Sequence, residues 1–280
     1  MQKINSFLFY ILYPVHALAW VGVIAYLFFF DFTWTNFFQL LIGWIIIEGL
    51  GVAVVLHRYV SHKAFEARPG LKPILLWISC LSLQGSPLGW AAIHRGSHHR
   101  YTDTEKDAHT PTKGWWYSWH KWLRDWDQYF NPKYAIDLIR DPMYMWFAKH
   151  YNSVILGTYL IVLGVFGWQV LLFGFMIPAA ISLYMESNIN VFCHTPGIGY
   201  RNFETKDNSG NVPLLAWLTW GQGWHNNHHE KASSYDFGTT VSGKSKEFDM
   251  SLLFLPLIAT KESRNKIYEA RKNAMANNNI

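Results

Sequence analysis

Three long apolar runs constrain the fold of this 280-residue chain more than any other feature. They cover residues 7–30, 37–56 and 154–191. A helix needs about 20 apolar residues to cross roughly 30 Å of hydrocarbon. The first two runs each fit one such helix, and the third fits a helical hairpin with its turn at residues 167–169. The sequence therefore predicts an all-α membrane protein with four transmembrane helices.

The distribution of positive charge predicts the orientation of these helices. All 24 Lys and Arg residues lie at the N-terminal tip, within residues 57–151 or after residue 194, and the connectors 31–39 and 167–169 carry none. Positively charged loops stay on the cytoplasmic side. We therefore expect a multi-pass protein of a bacterial inner membrane or the endoplasmic reticulum with both termini cytoplasmic. The net charge of +5 follows this topology and does not indicate a nucleic-acid partner.

These boundaries predict a single domain over residues 1–280. Its spans cover about 7–30, 37–57, 152–167 and 170–193, and its cytosolic cap covers 58–151 and 195–280. The apolar stretch 71–83 is too short to span a bilayer. We expect it to lie along the cytoplasmic surface as a helix or a re-entrant segment, because a span there would separate His62 from His94.

Nine of the 13 histidines fall into four clusters at the ends of apolar runs or in polar segments. The clusters are His57 and His62; His94, His98 and His99; His194, with Asn190 four residues before it; and His225, His228 and His229. Residues three or four apart share a helix face. His57 and His62 are five apart, about 140° round an ideal helix, so both can bind one metal only if the helix frays or bends there. The other histidines, His16, His109, His120 and His150, are predicted to be packed or solvated.

This donor set indicates two metal ions with four or five nitrogen ligands each. Neutral imidazole suits iron, zinc and copper. Cys80 and Cys193 lie in apolar surroundings and indicate neither a disulfide nor a thiolate site. Iron with open positions for dioxygen fits best, and two zinc ions remain an alternative.

Together these motifs resemble the histidine boxes of the membrane fatty acyl desaturases, the family that includes stearoyl-CoA desaturase. The resemblance extends from the second span to about Ile258. Residues 57–62 (HRYVSH) resemble the first box, residues 94–109 resemble the second box with its flank, and residues 223–229 (GWHNNHH) resemble the third. Residues 190–194 (NVFCH) resemble the family's separate ligand pair.

The resemblance implies four spans, a cytosolic cap and a di-iron centre on the nine clustered histidines, with Asn190 bound through water. It implies an oxidoreductase that uses O2 to introduce a double bond into a fatty acyl chain on lipid, acyl carrier protein or coenzyme A. Electrons would come from a separate donor, a ferredoxin or cytochrome that docks on the basic cytosolic face.

Three departures from the family pattern carry predictions. The second box usually reads HxxHH, whereas His94, His98 and His99 read HxxxHH. This spacing predicts either a π-bulge or a different sharing of the ligands between the ions. Ala92 and Ile93 stand where acyl-CoA members commonly carry Arg-Asp, which argues against coenzyme A as the carrier. Gln222 replaces a common acidic residue, which removes a partner for a ligating imidazole.

An acyl substrate requires a narrow apolar tunnel beside the metals. Gly49 and Ala53, two turns and one turn below His57, are predicted to set its depth; close helix packing is the alternative. Glu48 and Glu186 are ionisable groups within spans, which by default suggest function. They would tune the metal ligands, contact a polar group of the substrate, or form hydrogen bonds to a neighbouring helix as protonated carboxyls.

The nearest alternative function is a hydroxylase, an acetylenase or a decarbonylating oxidase on the same scaffold. Histidine-box relatives divert one activated-oxygen chemistry to several products. A metal transporter fits less well, because it needs ligands along a path through the spans, whereas these clusters gather at one end. A purely structural membrane protein leaves nine clustered histidines unexplained.

Overall fold

The computed structural model describes residues 12–238 and 247–276. Within this part the regular structure is helical, and β-pairing is limited to isolated bridges. Four long helices dominate: α1 (Tyr13–Phe29), α2 (Trp34–Ser61), α3 (Pro142–Phe166) and α4 (Trp168–Phe192). Residues 7–11 of the predicted first span lie outside the described residues.

Two of these helices, α2 and α4, are long and apolar enough to cross a membrane. Helix α1 is apolar but has only 17 residues. Helix α3 begins ten residues before the predicted boundary at 152, because Asp141 caps its first turn and Pro142 occupies the first helical position. The helical fold is confirmed. Among the described residues two helices qualify as spans by length and composition, so the predicted count of four stays a prediction.

Helix α2 changes its geometry before it reaches its first histidine. Residues Trp34–Trp44 are α-helical behind a Thr33–Asn36 capping box, and residues Ile45–Ser61 are π-helical. Gly43 lets α2 approach α4, since a Cβ there would lie 2.4 Å from the carbonyl oxygen of Gly174. The close contact fixes the helix that carries the first histidine pair against the helix that leads to His194.

Helices α3 and α4 form the predicted hairpin. The turn is Gly167, whose φ of +84° is a conformation that glycine adopts without steric cost. Helix α1 packs on α4 through Ala19 and Tyr26, and the Tyr26 ring meets Phe173 edge-on at 4.8 Å. A second π turn, Leu172–Met176, interrupts α4 near its start.

The stretch 71–83 forms a short helix, Lys72–Cys80, that packs against α2 and α3. Nine residues are about 14 Å of helix, less than half the thickness of the hydrocarbon. Trp77 donates to Thr158 of α3 at 2.9 Å. The segment returns the chain to the side on which it entered, because Nε2 of His62 lies 2.9 Å from Nε2 of His94.

The cap consists of short helices joined by loops. They are Pro87–Ile93, His94–His98, His99–Tyr101, Pro111–Lys113, Trp115–Trp119, Lys121–Asp125, Trp126–Tyr129, Pro132–Ala135, Ile136–Ile139, Pro213–Leu218, His225–Glu230, Met250–Leu253, Leu255–Ile258 and Lys261–Ala276. The last of these carries five Lys and Arg residues, and only Ile267 of it is buried.

Candidate metal centre

Five of the clustered histidines converge on one point. They are His57, His62, His94, His99 and His228, and their ligand nitrogens all lie within 4.8 Å of one another. Nε2 of His57 lies 2.9 Å from Nε2 of His228, which in turn lies 3.0 Å from Nε2 of His99. We call this group the five-histidine site.

The other four histidines converge on a second point. They are His98, His194, His225 and His229, again within 4.8 Å. Nε2 of His225 lies 2.9 Å from Nε2 of His194 and 3.1 Å from Nε2 of His229. We call this group the four-histidine site. The sites are adjacent, since the rings of His99 and His229 stack with centroids 4.8 Å apart.

A π-helical turn solves the spacing problem in each of the first two clusters. The backbone N–H of His62 donates to the carbonyl of His57 at 3.1 Å, and that of His99 donates to His94. An i→i+5 hydrogen bond brings residues five apart into register on one helix face. His57 and His62 therefore share a site without the predicted fraying, and so do His94 and His99.

Of the two consequences predicted for the extra residue in the second cluster, the structure contains the π turn, and a sharing of ligands that differs from the family pattern stays a prediction. Residues His94–His98 form the predicted π turn. The same turn directs His98 away from its neighbours and into the four-histidine site. The helix His225–Glu230 also divides its ligands, since His225 and His229 join the four-histidine site and His228 joins the other.

The geometry of both groups fits metal ions. The Nε2 atom of a neutral imidazole carries either one hydrogen or one lone pair, so the Nε2 atoms of His94, His228 and His229, which each meet two others, cannot form hydrogen bonds with both. Nitrogens bound to one ion at about 2.1 Å and at right angles lie about 3 Å apart. The Nε2 pairs are separated by 2.9–3.2 Å. The residues therefore provide five nitrogen donors for one ion and four for the other.

Burial keeps most of these imidazoles neutral, which is the form that binds metals. Burial is the main cause that lowers the pKa of the cap histidines well below 6.5: His62, His94, His98, His99, His225, His228 and His229. His194 is the exception. Burial lowers its pKa as well, but the Asp103 carboxylate outweighs that effect and raises it.

The ring nitrogens that face away from the four-histidine site have polar acceptors. Nδ1 of His229 lies 2.9 Å from Asp207, and Nδ1 of His225 lies 3.1 Å from the carbonyl oxygen of Gln222. Asp107 lies 3.3 Å from Nδ1 of His98. Asp103 lies 3.3 Å from Nδ1 of His194, close enough for an ion pair but without the geometry of a hydrogen bond. Such contacts fix the tautomer so that Nε2 carries the lone pair, and they increase its basicity.

A cavity of about 60 Å³ opens beside both sites. His57 and His94 contribute the five-histidine side of its lining, and His98 and His225 contribute the other. Asn190 also lines it. The remaining wall is mainly apolar and aromatic, and includes Leu12, Leu83, Trp90, Ile93, Trp122, Leu123, Trp126, Leu183 and Ile189.

The two small residues proposed for the tunnel are not among those that line this cavity. Gly49 lies against Trp220 and Phe254, and a Cβ there would be 2.7 Å from the indole ring. Ala53 is fully buried, and its carbonyl accepts a hydrogen bond from Arg58 at 2.6 Å. For Gly49 the contacts are those of close packing, and the role of both residues in chain-length selection stays a prediction.

Glu48 and Glu186 meet in one polar cluster next to the cavity. Gln222 donates to Glu48 at 3.3 Å and also to Glu186. Ser182 donates to Glu48 at 2.5 Å and accepts from Gln84 at 3.0 Å. The residue that replaces the family's acidic group thus binds two buried carboxyls of α2 and α4. Its carbonyl also orients His225.

Four residues outside the predicted ligand set also lie at the two sites or in the cavity beside them. Asp103, Asp107 and Asp207 contact ligand imidazoles, and His109 lines the cavity with its ring 4.5 Å from His98. A sequence signal existed for two of them, because Asp103 and Asp107 are four apart in the flank of the second box. Asp207 lies in a loop between the histidine clusters and has no local signature.

Comparison with known proteins agrees with this geometry. The sequence profile of the family "Fatty acid desaturase" matches residues 32–233. The chain is 32% identical to Delta-9 acyl-lipid desaturase 2 of Arabidopsis thaliana over 79% of this chain and 70% of the relative. It is 31% identical to sn-1 stearoyl-lipid 9-desaturase of Anabaena variabilis, over 71% of this chain and 73% of that protein. Identity to sn-2 palmitoyl-lipid 9-desaturase of a Nostoc species is 30%, over 71% of this chain and 70% of the relative.

Proposed function

Since the chain belongs to the fatty acid desaturase family and is an oxidoreductase, we propose that it uses O2 and a di-iron centre to introduce a double bond into an acyl chain. The observation that carries the proposal is the convergence of nine imidazoles into two adjacent sites on one wall of a largely apolar cavity. Two irons held there would supply the activation of dioxygen. The protein positions the substrate, admits electrons and excludes competing reactions.

The proposed ligands are the nine histidines of the two sites, with Asn190 bound through water at the four-histidine site. Asn190 supports this role by its position in the cavity lining beside His98 and His225. The all-nitrogen donor set also suits zinc, so the identity of the metal is part of the test.

We propose a lipid-bound acyl chain as the substrate. The relatives described above are named acyl-lipid, stearoyl-lipid and palmitoyl-lipid desaturases. The chain also lacks the Arg-Asp pair typical of acyl-CoA members. A saturated chain offers no polar group at its reacting carbons, so its register would depend on the shape of the apolar wall.

The proposed topology has four spans with both termini cytoplasmic. Helices α1 and α3 do not qualify as spans by length and composition, but their exposed apolar side chains support contact with lipid. Leu18, Val21, Ile24 and Leu27 on α1 are 56–63% exposed, and Leu156, Leu160, Ile161 and Val165 on α3 are 58–68% exposed. Contiguous exposed apolar surface of this kind marks contact with a membrane or a partner.

A separate electron donor would dock on the basic surface outside His99. Arg100 and Lys106 lie over the ring of Tyr101, and Lys133 lies over that of Tyr134. Docking of an acidic carrier there would weaken as ionic strength rises. Turnover that is insensitive to salt would contradict this part of the proposal.

The experiment combines metal analysis of the purified chain with product analysis of host lipids. We expect two irons per chain and an O2-dependent double bond. His228→Ala should abolish the product and reduce bound iron, whereas the matched control His150→Ala, outside both sites, should change neither. A product with an inserted oxygen would identify a hydroxylase instead, and a chain that binds no metal would refute the proposed centre.

A further inference from the structure

The surroundings of the two sites differ in charge. Behind the four-histidine site, three ligand imidazoles face the carboxylates of Asp103, Asp107 and Asp207. In the described part of the chain, no carboxylate contacts an imidazole of the five-histidine site. The two sites therefore differ in more than their number of ligands.

The three carboxylates belong to one network that joins two loops of the cap. Asp107 accepts from the backbone N–H of Asp103 at 3.1 Å, and Asp103 accepts from that of Asn208 at 2.6 Å. Asp207, the residue before Asn208, accepts from Thr205 at 2.7 Å and from the N–H of Ser209 at 3.0 Å. Asp103 has a φ of +59°, uncommon for a residue other than glycine, and the network holds it there.

Guanidinium groups lie on the opposite side, at the end of α2 that carries His57 and His62. Arg95 donates to the carbonyls of Ser61 and Val60, each at 2.6 Å. Arg58, next to His57, donates to Ala53 and Asp249. Asp249 and Asp137 partly neutralise these groups. No guanidinium or ammonium group of the described residues forms an ion pair with the three carboxylates of the four-histidine site.

We propose that Asp103, Asp107 and Asp207 are positioning residues that act on one metal only, the ion of the four-histidine site. An imidazole whose Nδ1–H faces a carboxylate is a more basic ligand through Nε2, and its ring is fixed in orientation. Nearby negative charge also favours the more highly charged state of a bound ion. An iron held at the four-histidine site would therefore be the harder of the two to reduce, and the first electron from a donor would reside at the five-histidine site.

Chelator competition on the full-length chain, loaded with Zn²⁺ in detergent, tests the site selectivity without any turnover. Asp207→Asn removes the charge behind His229 and keeps the shape. We expect one of the two zincs to be lost at a 10- to 100-fold lower chelator concentration, with the release curve of the other unchanged. Asp107→Asn, acting on His98, should give the same one-ion pattern.

Asp137→Asn is the matched control, since Asp137 pairs with Lys63 and Arg95 and contacts no histidine. Its two zincs should be released as in the unaltered chain. His225→Ala damages the four-histidine site itself. In that background, Asp207→Asn should not further lower the chelator concentration at which zinc is released. Release curves for Asp207→Asn that match the unaltered chain, or that shift equally for both ions, would overturn the proposal.

The order of reduction is tested with the iron-loaded chain by Mössbauer spectroscopy during stepwise reduction. We expect one iron to become ferrous before the other. Asp207→Asn should bring the two reduction steps closer together. Simultaneous reduction of both irons in the unaltered chain would overturn this part. The inference rests on the two-metal part of the proposed function. A chain that binds no metal would refute that function, whereas two ions with an unshifted Asp207→Asn curve would refute only the inference.

Discussion

His94 and His99 are five residues apart in the sequence, yet their Nε2 atoms lie 3.0 Å apart. The backbone N–H of His99 donates to the carbonyl of His94, so one π turn brings both rings to the same face. His98, on the intervening part of that turn, faces the other site. The division of the second cluster between two sites therefore depends on the geometry of a single helical turn.

Gly96→Ala should disrupt this turn. A Cβ at residue 96 would lie 2.1 Å from the ring of Tyr134, so the ring or the turn must move. We expect a loss of about 1–3 kcal/mol of stability, the usual cost of overpacking, together with weaker metal binding at both sites. The thermal unfolding midpoint and the metal content in detergent measure these effects.

The matched control for that variant is Gly157→Ala on α3, where an added Cβ meets nothing within 4 Å. It should leave both the midpoint and the metal content unchanged or slightly raised. Combining Gly96→Ala with Tyr134→Ala should restore metal binding. If it does not, the steric explanation is wrong.

Breaking the buried ion pair between Arg58 and Asp249 should be strongly destabilising. The pair is 2.8 Å long with both side chains fully buried, and the guanidinium lies over the ring of Phe237 at 3.9 Å. Asp249→Asn leaves the buried guanidinium of Arg58 without a counter-charge, and we expect the free energy of unfolding to fall by about 3–5 kcal/mol. Arg58→Met with Asp249→Leu should cost less than either single change, as a double-mutant cycle of unfolding free energies would reveal. Additive effects would contradict this account.

Filling the cavity should reduce product formation without releasing the metals. Leu183 lines the cavity and is buried. Leu183→Trp should reduce product formation at least tenfold while both metals stay bound, because the ring occupies space that an acyl chain would need. Leu160→Trp, at a 58% exposed site on α3, is the control and should retain activity. Loss of metal in Leu183→Trp would show that the effect is structural instead.

The pair between Lys72 and Asp141 predicts a pH effect on stability. Burial raises the pKa of Asp141, but hydrogen bonds from Lys72 and from the N–H of Met143 outweigh burial and lower it below 3.8. The folded chain thus keeps this carboxylate ionised at a pH where the unfolded chain protonates it. Its contribution is complete above about pH 4 and is lost as the pH falls through the lowered pKa.

Asp141→Asn tests this, since the amide can still cap α3 but cannot pair with Lys72 as an ion. The difference in unfolding free energy between the unaltered chain and the variant should shrink as the pH falls from 7 to 3. A difference that is constant over this range would show that the ion pair contributes nothing. Asp141→Ala, which also removes the cap, should cost about 1 kcal/mol more at neutral pH.

The sequence was sufficient for the features that depend on spacing and composition. The apolar runs predicted the helices, and the gap of four between His94 and His98 predicted the π turn. It was not sufficient for contacts between distant loops. Asp207 reaches His229 only because Asp103 binds the backbone of Asn208, and no local pattern encodes that contact. The contact of Gly49 with Trp220, 171 positions away in the sequence, could not be predicted for the same reason.

The π turn at His94–His98 also bears on how such enzymes diversify. A one-residue insertion into an α-helix normally rotates everything beyond it, and a metal ligand would be lost. A π turn absorbs the added residue locally, so the helix on either side keeps its direction. An insertion accommodated in this way leaves His94 and His99 at one site, so the chain can lengthen here without the loss of a ligand.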